Sequence, residues 1–511
     1  MSTELRRRGA TIVAVALLAM LTSVTAVAAP AGAGCDARTN NTYQKLLECV
    51  RVDGVREHQA ALQAIADANN GNRSEGTTGY TDSVDYVVET MDAAGWDAEA
   101  VPFTYIGDRV VTDQLTPVEA VFQTATFTGG GEGDVTGPVT AVDLSIDDPA
   151  ASSSGCTADD FDGVDLDGPN DVVLLQRGAC NFSFKAINAE AAGAEAVIIG
   201  NQGTDGRVGP YANVTLGGAD VVDIPVTTAS FAALQSLAAS GATAHVVVEL
   251  DVEIESLNVI AELAGANDDN VVMAGAHLDS VPAGPGINDN GSGSAALLEV
   301  GEQLAKLRPQ NTVRFAWWGA EEIGLVGSTQ YVNGLSDAEL DRIALYLNFD
   351  MVGSPNYVFQ VYDADESTFT APVVVPPGSE EIEAIFESYY TYAGEPYDDS
   401  AFSGRSDYQA FINNGIPSSG LFTGAEVIKT PEQEAIWGGT AGDQFDPCYH
   451  AECDTFDNVS LHALDVNTDA IAFAVMTYAY STEDVNGVPG STVPGGFTIP
   501  EPAGPEGTFE D

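Results

Sequence analysis

Residues 275–300 read GAHLDSVPAGPGINDNGSGSAALLEV. The stretch leaves an apolar strand pattern, crosses a Gly/Pro-rich bend and enters a helix pattern, gathering His277, Asp279 and Asp289 at the handover. Working outward, the apolar runs NVIAELAG, VVMAGAHLD, TVRFAWWG and ALYLNFDM alternate with helix patterns at 294–307, 325–332, 380–393, 407–414 and 465–480. Such alternation predicts an α/β fold, a mixed sheet flanked by helices on both faces. Functional groups in such sheets collect at the carboxyl ends of the strands.

The strand ends here do carry chemistry. His277 and Asp279 follow one strand, with Asp289 in the loop beyond; Glu321 and Glu322 follow RFAWW; Asp350 follows LYLNF. A late loop, DPCYHAEC, holds His450 between Cys448 and Cys453. Two imidazoles with several carboxylates and no thiolate suit zinc or a similar divalent ion in a catalytic setting. Of two adjacent glutamates, one can bind metal while the other serves as base toward a water and returns the proton to a leaving amine. Asp289, in a glycine-flanked turn, can present both carboxylate oxygens, as a bridge between two metals requires. Asp279 is placed to hold the second nitrogen of His277. Trp317 and Trp318 read as core residues.

Upstream, helix patterns cover 55–69 and 80–94, followed by the strand-like DAEAVPFTY. From 117 to 250 the texture turns to short β-type runs separated by Gly, Asp and Ser, which reads as an inserted β-rich domain. Residues 35–116 then form the first part of the principal domain and 251–480 its main part, while the Pro/Gly-rich acidic tail 481–511 is expected to be flexible.

With 18 basic against 76 acidic residues the formal charge is −58, which argues against nucleic acid or anionic membranes as partners and suits saline surroundings. Arg6, Arg7 and Arg8, an apolar run and Ala26-Val27-Ala28 make residues 1–28 a secretory signal peptide, so an exported protein is expected. The arginines also allow twin-arginine export; a lipid anchor at Cys35 fits poorly because Gly32 stands where an apolar residue is expected. Six cysteines in an oxidising compartment favour disulfides. Proximity points to Cys35–Cys49, Cys156–Cys180 and Cys448–Cys453, among fifteen formal pairings.

AHLDS, GPGINDNGSG, FAWWGAEEIGLVGS, NFDMVGSPN, FSGRSDY, GLFTGAE and DPCYHAECD resemble the co-catalytic zinc aminopeptidases of family M28, most closely the secreted bacterial leucine-preferring type. VVLLQRGACNFSFKAINAEAAGAEAVIIGNQ resembles the core of a protease-associated (PA) domain. The resemblance implies the zinc-exopeptidase fold, of phosphorylase/hydrolase-like type, and two zinc ions. His277 and Asp350 would hold one ion, Glu322 and His450 the other, and Asp289, joined to Asn290 by a cis bond, would bridge them. Glu321 would be general base and acid, and Tyr449 would stabilise the oxyanion. Arg405 would lie near the substrate's amino end, Met351 and Phe422 in an apolar pocket, and Cys448–Cys453 would fix the His450 loop. Related enzymes point to calcium at Asp465 and Asp469, against a solvated acidic helix face.

The substrates expected are peptides with a free N-terminus, whose cationic amine a carboxylate-dense site rewards, and the protein is expected to be a monomer. A carboxypeptidase, the alternative, needs arginine for the terminal carboxylate, and only Arg405 is an obvious candidate. A non-catalytic peptide-binding protein on the same fold is the other alternative.

Overall fold

The computed structural model describes residues 34–505, apart from 36, 205 and 213. The expected signal peptide and the last six residues of the tail lie outside the described residues.

The principal strands are β1 (Asp97–Thr116), β2 (Thr243–Leu263), β3 (Asn267–His277), β4 (Asn311–Trp318), β5 (Ile343–Phe349), β6 (Gln360–Tyr362), β7 (Asp398–Ser400) and β8 (Ser418–Phe422). They stand in the order β7-β6-β8-β5-β3-β4-β2. β3 lies parallel to both β4 and β5, and β4 is antiparallel to β2. The sheet is mixed, as the alternation predicts. From β3 the chain moves to β4 on one side, then returns to place β5 on the other. That reversal opens a crevice beyond the carboxyl ends of β3, β4 and β5.

Continuous apolar sequence explains the central strands, since β5 is buried at every residue and β4 at all but Arg314. The helices are α1 (Val52–Ala68), α2 (Thr78–Ala94), α3 (Gly291–Leu304), α4 (Val326–Gly334), α5 (Ser379–Ala393), α6 (Tyr408–Asn413) and α7 (Leu461–Tyr480). α1, α2, α3, α5 and α7 cover one sheet face and α4 and α6 the other, each with its own apolar cluster. Trp317 anchors the first cluster and Trp318 the second, both core residues as read from the sequence.

Within 117–250, four parallel strands (Gly133–Ala141, Val172–Gln176, Ala196–Gly200 and Val226–Ala229) form a sheet with apolar clusters on both faces. The join to the rest of the molecule differs from the sequence reading. AHVVVELDV and NVIAELAG are parts of one 21-residue strand, β2, so the expected boundary at 250/251 falls mid-strand. β1 pairs along one edge of β2 from Asp97 opposite Glu262 to Thr116 opposite Thr243. The other edge is shared, residues 259–263 pairing with β4 and 243–248 with the first insert strand. The charged segment between the apolar runs reads as a break only because neither face is fully covered there.

The expectation of a flexible tail fails up to residue 505. Phe497 packs on Tyr43, Phe473 and Tyr392, with ring centroids 5.1, 6.0 and 5.0 Å away, and Val493 and Ile499 join the same core. Three apolar side chains suffice to dock a segment whose average composition reads as disordered.

The disulfides are Cys35–Cys49, Cys156–Cys180 and Cys448–Cys453. Among the described residues no helix is long and apolar enough to cross a membrane.

Candidate metal centre

Each residue singled out at a strand end reaches the crevice by its own local device. His277 closes β3, and the hydroxyl of Ser294 in α3 donates to its carbonyl at 2.6 Å. Asp289 sits in the turn before α3, where the amides of Asn288 and Asp289 donate to the two carboxylate oxygens of Asp454 at 2.8 and 3.0 Å. The Asp289–Asn290 peptide is cis. Asn290 caps α3 by accepting from the Gly293 amide at 3.0 Å, and its amide nitrogen donates to the Phe349 carbonyl at the end of β5 at 2.9 Å. Asp350 follows β5 and accepts from the Ser406 hydroxyl at 2.6 Å. His450, at φ 54°, rides the short loop closed by Cys448–Cys453 and stacks on the Tyr449 ring at 3.9 Å.

Asp279 behaves differently from the sequence reading. Its main-chain oxygen, 3.1 Å from His277 Nδ1, is the nearer partner of the ring; its carboxylate oxygen is 3.7 Å away. The carboxylate instead accepts from the amides of Glu321 and Glu322 at 3.1 and 3.3 Å, fixing the turn that presents both glutamates.

These devices bring the five candidate ligands together. His277 Nε2 lies 3.2 Å from Asp289 Oδ1 and 3.4 Å from Asp350 Oδ1. His450 Nε2 lies 3.2 Å from Asp289 Oδ2 and 3.0 Å from Glu322 Oε2. Ligands bound tetrahedrally at about 2.0–2.1 Å sit roughly 3.3–3.4 Å apart, so these spacings are those of side chains able to share a metal ion. Asp289 Oδ2 and Glu322 Oε1 are buried without a hydrogen-bond partner, the condition a cation would relieve. The donor set fits zinc.

Charge in the crevice is strongly coupled. Burial opposes charge on His277, but Glu321 and Asp350 outweigh it and push the imidazole well up. His450 rises to about 10, burial being outweighed by its contacts with Asp289 and Glu322. Burial, then Asp289, lifts Glu322 to about 7. Glu321 is pushed well above the carboxylate range by burial, against the pull of His277 and with Asp350, Asp407 and Glu322 adding to the rise. Negative charge here is in excess, an environment that favours binding of a cation.

Above the centre opens a cavity of about 580 Å³ lined by Glu321, Arg405, Tyr449 and the apolar Met351, Tyr362 and Phe422. Arg405 donates to Glu426 at 2.8 Å and to the Tyr449 hydroxyl at 3.1 Å. Asp465 and Asp469 share α7, where burial and then Asp465 raise Asp469 to about 7; among the described residues no third carboxylate or imidazole joins them as a metal-holding group. Sequence reading missed Arg73 and Asp454. Arg73, wholly buried, donates to the carbonyls of Leu278, Pro285 and Gly286 and so shapes the loop between His277 and Asp289. Asp454 closes the motif HAECD, a signal left without a role.

A crevice of imidazoles and carboxylates at a topological switch point defines a metal-dependent hydrolase. The sequence model of peptidase family M28 matches residues 258–475, and that of the PA domain matches residues 135–237. An aminopeptidase of Pseudomonas aeruginosa is 45% identical over 455 residues, covering 86% of this chain and 83% of its own. Leucine aminopeptidase 2 of Trichophyton rubrum is 38% identical over 456 residues, 86% of each chain. Among solved structures, BSAP, a zinc aminopeptidase from Bacillus subtilis, superposes with a TM-score of 0.54 at 26% identity, covering 83% of this chain and 94% of its own. The chain belongs to peptidase family M28, carries an inserted PA domain, and is an aminopeptidase.

Proposed function

We propose that this zinc aminopeptidase is an exported di-zinc enzyme that removes large apolar, leucine-like residues from the free N-terminus of peptides. One observation carries the reading: the two carboxylate oxygens of Asp289 face different imidazoles, each at 3.2 Å. His277 and Asp350 would hold one zinc and Glu322 and His450 the other, with Asp289 beside both imidazoles as the shared ligand. Zinc, when bound, supplies Lewis acidity toward the scissile carbonyl and makes water acidic enough to attack near neutral pH. Asp279 aims Glu321 through its main-chain amide. Glu321 takes the proton of the attacking water on its carboxylate and passes it to the leaving nitrogen. Tyr449 donates its hydroxyl proton toward the developing oxyanion, and Arg405, which donates to the Tyr449 hydroxyl oxygen and lines the cavity, orients that hydroxyl and lies near the substrate's amino end. Met351 and Phe422, with Tyr362, receive the apolar side chain. Three disulfides support export. The enzyme works as a monomer, with the insert, read from the sequence as 117–250, carried on the β1–β2 ribbon that it shares with the peptidase domain.

A leucine anilide and its N-acetyl derivative separate this from a carboxypeptidase or a binding protein. Only the free amine should turn over, and chelator-stripped enzyme should regain full activity at two zinc ions per chain. Equal turnover of both anilides, or full recovery at one zinc, would overturn the reading.

A further inference from the structure

A second gathering of oxygens lies away from the crevice. β6 runs directly into Asp363 and Asp365, α5 contributes Glu383 and Glu387, and Asp399 is the middle residue of β7. One oxygen each from Asp363, Asp365 and Glu383 lie within 4.8 Å of one another, as do one each from Glu383, Glu387 and Asp399. Glu383 belongs to both sets. Among the described residues no Lys, Arg or His forms an ion pair with any of the five.

In so acidic a chain, solvated carboxylate patches are ordinary. The heart of this one is not solvated: Asp363, Glu383 and Asp399 are 2%, 3% and 2% exposed, with half-buried Glu387 and exposed Asp365 at its rim. Main-chain amides supply part of what burial removes. Ser367 and Thr368 donate to Asp363 at 2.9 and 3.0 Å, and Ala364 and Asp365 both donate to Glu383 Oε2 at 3.0 Å. They bring no full positive charge. Asp399 is the telling member: Oδ2 accepts from the Thr368 hydroxyl, while Oδ1 is buried with no hydrogen-bond partner at all. An orphaned buried oxygen is costly unless something cationic meets it. Burial and then the neighbouring carboxylates push Glu383 up to about 9.

We propose that Asp363, Asp365, Glu383, Glu387 and Asp399 form a calcium site, separate from the zinc centre, that ties down one wall of the substrate cavity. Oxygen-only ligation by five carboxylates suits a hard cation, and an irregular set drawn from a loop, a helix and a strand suits calcium's flexible six- to eight-fold coordination better than magnesium's octahedron. Zinc prefers nitrogen and sulfur. The wall is tied because Tyr362 and Ser400, next in sequence to Asp363 and Asp399, line the cavity, and the Asp363 amide donates to the Ser400 carbonyl at 2.9 Å. Calcium therefore joins β6, β7 and α5, raising stability and holding the pocket in its binding shape.

The test uses the full zinc-loaded chain, following unfolding temperature and the KM for a leucine anilide against CaCl2, with MgCl2 and NaCl at matched ionic strength. Calcium should raise the unfolding temperature saturably by at least ~2 °C and lower KM more than it changes kcat, beyond anything magnesium or sodium does. D399N, and separately the half-buried E387Q, should lose that calcium response yet unfold no lower than the wild type without calcium, because each removes a repelling charge. D469N on α7 should keep the response. The proposal fails if D399N and E387Q respond like the wild type, if D469N alone abolishes the response, if the wild type ignores calcium, or if the three salts act alike.

Discussion

Glu321 and Asp454 divide the labour of the centre between chemistry and support. Glu321 Oε2 stands 4.0 Å from His277 Nε2 and lines the cavity, and the proposed mechanism assigns it to protons although it also lies within metal-holding distance of His277 and Asp350. E321Q should therefore lower kcat by about 10²–10⁴-fold with zinc content unchanged by elemental analysis. Loss of metal along with activity would move Glu321 into the ligand set. Asp454 touches no substrate, yet its two oxygens hold the amides of Asn288 and Asp289. D454N removes one acceptor, and zinc affinity measured against a competing chromophoric chelator should drop about 10–100-fold. Affinity like the wild type's would mean the turn holds itself. Three candidate ligands, His277, Glu322 and Asp350, were legible because they follow strand ends, and Asp289 and His450 because they sit in motif-bearing loops. Asp454 and Arg73 were not, because both act on main-chain groups, and no residue spacing encodes a partner that every residue possesses.

Helix α1 begins at Arg51 without a side-chain cap of its own; instead Glu299 in α3 accepts the Arg51 amide at 3.1 Å. Glu299 is 3% exposed, and burial raises it to about 7. A carboxyl whose folded pKa lies above its unfolded value costs stability as pH rises from the unfolded value, near 4.5, and the cost is complete above the folded one. E299Q keeps the acceptor and discards the charge. Its unfolding temperature relative to the wild type should climb between pH 5 and pH 8, reflecting on the order of 3 kcal/mol. A gap constant across that range would show that Glu299 ionises freely. Helix positions were readable from apolar spacing to within a few residues, α2 being expected at 80–94 and found at Thr78–Ala94. The interhelix cap was not readable, because it joins residues 248 apart in sequence.

At the scale of the whole chain, the charge of −58 dominates behaviour in dilute buffer. Screening shortens from about 30 Å at 0.01 M salt to about 3 Å at 1 M. The unfolding temperature should rise steeply over that range of NaCl, by calorimetry at fixed calcium and zinc; a flat profile would mean the folded surface spaces its carboxylates well enough to need no screening. The class of fold was legible from alternating strands and helices. The seam between peptidase and insert was not, since β1 and β2 serve both and their charged middles look like linkers.

That shared ribbon has an evolutionary consequence. Gly107 faces Val252 across it, so everything from 108 to 251 leaves and returns at one point on neighbouring strands. A lineage could splice such a passenger in, or shed it for a tight hairpin, without disturbing the register of a single strand around the zinc. The ribbon is a graft union, and ancestors or cousins bearing a bare hairpin there should be viable catalysts.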